Sequence, residues 1–245
     1  MEAAVEIHRE QDAAAVAEAA ARLWAHEAQA APSIRGVFRV ALSGGKTPEL
    51  LLRLLSEERF RTLPWDKTEV YWTDERYVPH DHEESNYGLA RELLLDHVPV
   101  PKDSIHPMPT GSGDPLRDAA DYEDIMRRAF SDQAWPRFDL VILGLGEDGH
   151  TASLFPGDPA LSEQTRWVAA ARSPKGIRDR LTLTVPAINA ARLKLFLVCG
   201  GEKSAILKAV WGPPARRPLP AQLISDCLAL ADRAAAARLH AQGAG

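Results

Sequence analysis

Cysteine is nearly absent from this chain, with two in 245 residues, Cys199 and Cys227. Neither has a partner at metal-ligand or redox-motif spacing, so both read as small core residues in a reducing compartment. No stretch approaches the roughly 18 apolar residues that a membrane-spanning helix needs. The first residues, "MEAAVEIHREQDAAAVAEAAARLW", are acidic where a secretory signal is basic, and they lack an apolar segment. Together these absences point to a cytoplasmic protein with no membrane partner. A long basic run is missing too, and the net charge is −5, which excludes binding along a nucleic-acid backbone. Any site for a small anion must therefore be locally basic within an acidic protein.

What is present is ordinary for a globular protein: 45% hydrophobic and 26% charged residues, enough to bury a sizeable core. There is no internal repeat and no linker, so residues 1–245 are expected to form one domain, a monomer or weak homo-oligomer. Short runs rich in Val, Leu and aromatics read as buried parallel strands: 37–42, 68–73, 138–146, 166–170, 180–185 and 194–200. Helical patterns lie at about 10–30, 48–59, 86–97, 115–130, 202–211 and 226–241, with both alanine-rich ends read as helices. Strand alternating with helix predicts an α/β fold with helices on both faces of a mainly parallel sheet. Ligands of such folds sit at the carboxyl ends of the strands. "SGGKTP" follows the first strand, "DERYVPHDHEESNY" the second and "GEDGHTASLFPG" the third, while Arg180 and "GGEKS" flank later ones.

"SGGKTP" is not a nucleotide P-loop. The motif needs a glycine at the position of Val40, and Pro48 falls where the helix would already be running. The dinucleotide spacing G-x-G-x-x-G is missing as well. The stretch still suits an anion. Gly44 and Gly45 allow close approach of the backbone, and Ser43 and Lys46 stand beside them. Thr47 is expected to cap a helix with Pro48 at its first position, leaving free N–H groups for an anion.

In "WTDERYVP", Arg76 offers a permanently charged fork to an oxygen anion, with Asp74 and Glu75 orienting it or binding hydroxyls. His80, His82, Glu83 and Glu84 suggest a metal site only weakly, since such histidines in a polar loop are commonly solvated. Glycines frame Asp148 and His150 in "LGLGEDGHTASLFPG". A tight loop at a strand end would set His150 at the cleft, with Asp148 holding its ring or binding substrate. The remaining histidines have no such setting.

Five strings in order, "LSGGKTP", "DERYVPHDHEESNYG", "GLGEDGHTASLFPG", "RLTLTVPAINAA" and "VCGGEKSAILKAV", resemble the successive motifs of the 6-phosphogluconolactonase family over residues 38–211. The resemblance implies a modified Rossmann-like three-layer α/β/α sandwich shared with glucosamine-6-phosphate deaminase and ribose-5-phosphate isomerase. It implies hydrolysis of 6-phosphoglucono-δ-lactone to 6-phosphogluconate, with no organic cofactor and no metal. The related deaminases carry a glutamate five residues after the histidine, where this chain has Phe155, and a tyrosine where it has Arg76. Lys46 departs from the Ser or Arg common in lactonases but keeps the positive charge. Sugar-phosphate sensors of the same superfamily carry a DNA-binding segment ahead of the sensor, whereas the residues before position 37 read as one amphipathic helix. Carried onto this chain, the resemblance makes His150 the general base. Arg76 then stabilises the oxyanion or holds the phosphate, and the 44–47 loop, Arg180 and Lys203 bind the phosphate.

Overall fold

The computed structural model describes residues 5–131, 133–212 and 218–239. Nine strands and six α-helices follow one another among them: β1 (Val5–Glu10), α1 (Ala13–Arg35), β2 (Phe38–Leu42), α2 (Lys46–Leu55), β3 (Thr68–Trp72), β4 (Asp74–Arg76), α3 (Asn86–Ala90), α4 (Pro115–Ala129), β5 (Leu140–Leu143), β6 (Val168–Arg172), β7 (Asp179–Leu183), α5 (Val185–Asn189), β8 (Leu193–Val198), α6 (Ser204–Trp211) and β9 (Cys227–Asp232). Six strands form a sheet in the order β1-β9-β8-β5-β2-β3, parallel throughout. All four residues of β5, near its centre, are buried, as expected for a strand covered on both faces.

Helix α1 is capped by Asp12, whose side chain accepts from the Ala15 N–H, and ends at Gly36 with φ 79°. Its buried Trp24 packs on Phe38 and Trp65 with ring centroids 5.5 and 6.1 Å apart. Helix α2 buries Leu51, Leu52 and Leu55 on one face. At the amino end of β5, buried Asp139 accepts from the Arg39 N–H at 2.8 Å. Its carboxylate also ion-pairs with Arg35 at 2.7 Å and Arg192 at 3.4 Å.

The structure departs from the sequence expectations at three places. Residues 166–170 and 180–185, expected as parallel strands, fall in β6 and β7, which pair antiparallel in a separate small sheet ordered β4-β7-β6. Its first strand is the Asp74–Arg76 segment, expected as loop. The carboxyl-terminal segment expected as helix 226–241 instead supplies β9 and a 3-10 turn, Ala235–Arg238; residues 240 and 241 lie outside the described residues. Its alanines favour a helix locally, but burial between β1 and β8 overrides that preference. The amino-terminal segment, read as helix alone, begins with β1, an edge strand paired to β9.

Candidate active site

The chain emerges from the carboxyl ends of β2, β5 and β8, neighbours in the sheet, into three glycine-rich loops. These loops and the small sheet enclose a cleft of about 580 Å3.

After β2, Gly45 takes φ 106°, and α2 starts at Lys46 with no side chain capping it. Thr47 is therefore not the cap that the sequence suggested; it and Lys46 lie in the first turn, whose N–H groups stay unclaimed by a cap. Gly44 is needed for close packing. A Cβ there would stand 2.5 Å from Asn86 Cγ and 2.9 Å from Arg76 Nη1.

Arg76 and Asn86 are held by Glu75. Fully buried, Glu75 accepts from the N–H groups of Arg76, Asn86 and Tyr87 at 2.7, 2.7 and 2.8 Å, and from Ser85 Oγ at 3.0 Å. Burial nevertheless pushes its carboxyl above the ordinary range against those four bonds. Asn86 Nδ2 donates to the Asp74 carbonyl at 2.8 Å, and Asn86 Oδ1 accepts from Arg76 Nη1. Glu75 thus builds the wall behind the cleft and does not line it. Asp74 does line it, with its carboxylate accepting from Ser153 Oγ at 2.7 Å and Thr73 Oγ1 at 3.3 Å.

Arg76 lies directly opposite Arg180 in the β4–β7 ladder. Like charges at facing positions repel, and no carboxylate pairs directly with either guanidinium, although Asp74, Glu84 and Glu75 act on Arg180 from nearby. Arg180 Nε donates to the Ile177 carbonyl at 2.9 Å. Burial first, and then the charge of Arg76, pull its pKa below the usual guanidinium value. Five cations line the cleft: Lys46, Arg76, Lys175, Arg180 and Lys203. Among the described residues none of them forms an ion pair with a carboxylate. The carboxylates of Asp74, Glu147, Asp148 and Glu202 share the lining, yet none of them pairs directly with any of the five, and cations left in this way in a concave place suit an anionic ligand.

The loop after β5 presents His150. Its carbonyl accepts from the Gly146 N–H at 2.8 Å, the Gly146 carbonyl accepts from the Gly149 N–H at 3.0 Å, and Gly149 has φ 83°. Thr151 Oγ1 ties the loop to the Gly144 carbonyl at 2.9 Å. His150 Nδ1 pairs with Asp148 Oδ1, which also accepts from the His150 N–H at 3.1 Å. Burial would raise the Asp148 carboxyl, but the N–H bond and the ring's charge outweigh it and hold the group below the ordinary range. The ring packs on Phe155, centroids 4.7 Å apart. With Nδ1 engaged, Nε2 is the nitrogen left for a ligand.

After β8, Gly200 takes φ 100° and leads into the turn Gly201–Lys203. Asp232 Oδ2 accepts from the Gly200 N–H at 3.0 Å. Cys199 meets the Thr47 side chain, and burial pushes its thiol up to about 11; it is a packing residue of the wall rather than a nucleophile.

The cleft thus brings together Ser43, Gly44, Gly45, Lys46, Thr47, Asp74, Arg76, Asp148, His150, Arg180 and Lys203. Sequence reasoning missed Asn86, Ser153, Lys175 and Glu202, which also line it. The polar loop histidines go elsewhere: His80 Nε2 meets the Met108 carbonyl at 2.8 Å, and His82 Nδ1 accepts from the Glu84 N–H at 3.0 Å. Among the described residues no three His, Cys, Asp or Glu side chains gather to hold a metal ion, and no helix is long and apolar enough to cross a membrane.

Comparison with known proteins places the chain in a family. A 6-phosphogluconolactonase from Synechocystis is 46% identical over 74% of this chain and 74% of its own length. The human 6-phosphogluconolactonase is 41% identical over 78% of this chain and 74% of its own. The solved structure of 6-phosphogluconolactonase from Trypanosoma cruzi superposes with a TM-score of 0.89 at 31% identity, covering 98% of both chains. The profile described as glucosamine-6-phosphate isomerases/6-phosphogluconolactonase matches residues 11–230, and the chain belongs to that family.

Proposed function

We propose that this chain hydrolyses 6-phosphoglucono-δ-lactone to 6-phosphogluconate, a step of the oxidative pentose phosphate pathway. The observation that carries the reading is the presence of two devices in one cleft: a histidine buttressed by a carboxylate, and cations free of direct ion pairs beside an uncapped helix start. The first suits proton transfer at a carbonyl and the second suits a phosphate. The names of the relatives support the same assignment.

In this reading His150 Nε2 takes a proton from water as the water oxygen attacks the lactone carbonyl, and the carbonyl electrons move onto oxygen. As the tetrahedral intermediate collapses, the ring C–O bond breaks. The departing oxygen then recovers the proton from His150. Asp148 stabilises the cationic ring through Nδ1–H, so the base and the acid are one residue used twice. The phosphate end is assigned to Lys46, Thr47, Arg76, Arg180 and Lys203. Arg76 goes to the phosphate rather than to the oxyanion because its Nη1 packs beside Gly44 and its neighbour in the ladder is Arg180. Phosphate binding positions a lactone that also hydrolyses unaided, and that binding supplies part of the rate enhancement. Phe155 fills the place where a deaminase needs its carboxylate and leaves an apolar ring against His150. Both sheets contribute to the cleft, which supports treating residues 1–245 as one functional domain.

Freshly made lactone, with product read by an NADP-linked dehydrogenase that oxidises 6-phosphogluconate, tests the assignment. Ammonia release from glucosamine-6-phosphate is measured beside it. Lactone hydrolysis without ammonia release is expected. His150→Ala should lower kcat by about 10²–10⁴ with substrate still bound, and Arg180→Ala should mainly raise KM. Near-normal turnover by His150→Ala would remove that residue from the role.

A further inference from the structure

Two loops of the cleft are built alike. "GGKT" after β2 and "GGEK" after β8 each place a glycine with φ near 100° (106° at Gly45, 100° at Gly200) at the turn into a helix. Each also delivers a lysine. The contact of Cys199 with Thr47 shows that the two loops converge at one end of the cleft. They differ in the position of that glycine, second of its pair in one loop and first in the other, and only the later loop carries an acidic residue, Glu202.

The Glu202 side chain folds back over its own loop. Its Oε1 lies 2.5 Å, and its Cδ 2.7 Å, from where a Cβ on Gly200 would stand. Gly200, fixed as glycine by its φ of 100°, leaves the carboxylate free to lie over it. The residue is exposed and lines the cleft. Among the described residues, no hydrogen bond or ion pair accounts for its position. An exposed negative charge of no evident structural use therefore lines the same cleft as the five cations.

We propose that Glu202 sets the affinity of the cleft, acting as a built-in anion that competes with the ligand's phosphate for the converging loops. This rests on reading those loops as the phosphate site. The chemistry gives such a residue a use. Hydrolysis adds a carboxylate to the ligand, so the cations that attract the lactone hold the product harder still. Attraction shared by ground state and transition state lowers KM without raising kcat, and a fixed negative charge trims it, letting product leave.

The test uses the full chain, Glu202→Gln, and Glu58→Gln as a surface control with the same change in net charge. KM for the lactone and inhibition constants for 6-phosphogluconate and inorganic phosphate are measured at low and high salt. For Glu202→Gln, all three should fall on the order of tenfold at low ionic strength, the scale for one unit charge within a screening length of a phosphate in a solvent-open cleft. The gap should narrow at high salt, kcat should not rise, and Glu58→Gln should match the wild type. Unchanged or raised constants in a folded Glu202→Gln protein would overturn the proposal. A wild-type protein without lactonase activity would sink the functional reading instead. Phosphate affinity measured by calorimetry would still decide the role of Glu202.

Discussion

Gly146 offers the sharpest test of the His150 position. An alanine Cβ there would lie 2.7 Å from His150 Cγ and closer still to Nδ1 and Cε1, where ordinary contact begins at 3.4 Å. Gly146 has no positive φ, so alanine imposes no backbone strain and its effect is steric. To regain contact distance the ring must retreat by at least 0.7 Å at Cγ, the difference between those two distances, and by more at Nδ1. The retreat pulls Nδ1 from Asp148 or drives the ring into Phe155. A misplacement of about 1 Å in a reacting group costs roughly 10² in rate, or about 2.7 kcal/mol of barrier. The loops proposed to hold the phosphate are untouched, so Gly146→Ala should lose about a hundredfold in kcat while KM changes less than threefold. Initial rates in the coupled assay, corrected for spontaneous lactone opening, give both constants, and a melting curve confirms folding. A folded Gly146→Ala enzyme with kcat within threefold of wild type would show that catalysis does not use His150 where the structure places it.

Three further outcomes follow from groups already described. Asp148 holds the His150 ring through Nδ1, so Asp148→Asn should lower kcat with KM little changed; an unchanged kcat in a folded protein would contradict the pairing. With its folded pKa depressed, Asp148 also contributes stability that is present above the ordinary carboxylate range and lost as pH falls through the folded value. Asp148→Asn should therefore flatten the acid side of the stability curve. Asp139→Ala should leave the Arg39 N–H without its acceptor and the partly exposed Arg35 and Arg192 without their buried partner, costing about 2 kcal/mol. Urea titration at unchanged slope reads that loss, and a loss under 1 kcal/mol would mean that the arginines are solvated independently of Asp139.

The parallel core of the fold was legible because its strands are short apolar runs and its helices are periodic. Two segments escaped for physical reasons. "CLALADRAAAARL" carries small residues that fit a helix or a doubly buried strand equally well, and only the gap between β1 and β8 decides for a strand. "VEIHRE" alternates, but its polar half on an edge strand leaves too little apolar signal to separate it from the helix that follows. The antiparallel sheet was invisible for another reason. Local pattern reports burial and period, whereas the direction of pairing depends on which segment the fold brings alongside.

In the cleft, legibility tracked conformational necessity. Glycines at Gly45, Gly149 and Gly200 stand where φ is positive, and a lysine or histidine beside such a glycine at a strand end advertises a site in the sequence itself. Glu75 advertised falsely. Its place in "DER" suggested a ligand contact, yet it is fully buried and saturated by four donors. Asn86 advertised nothing and nevertheless reaches the cleft, gripping Arg76. The two errors share one cause. A carboxylate that needs four donors can be satisfied by a ligand or by its own chain. The choice rests on whether residues 85–87 fold back onto it, a contact across ten positions that no local spacing encodes.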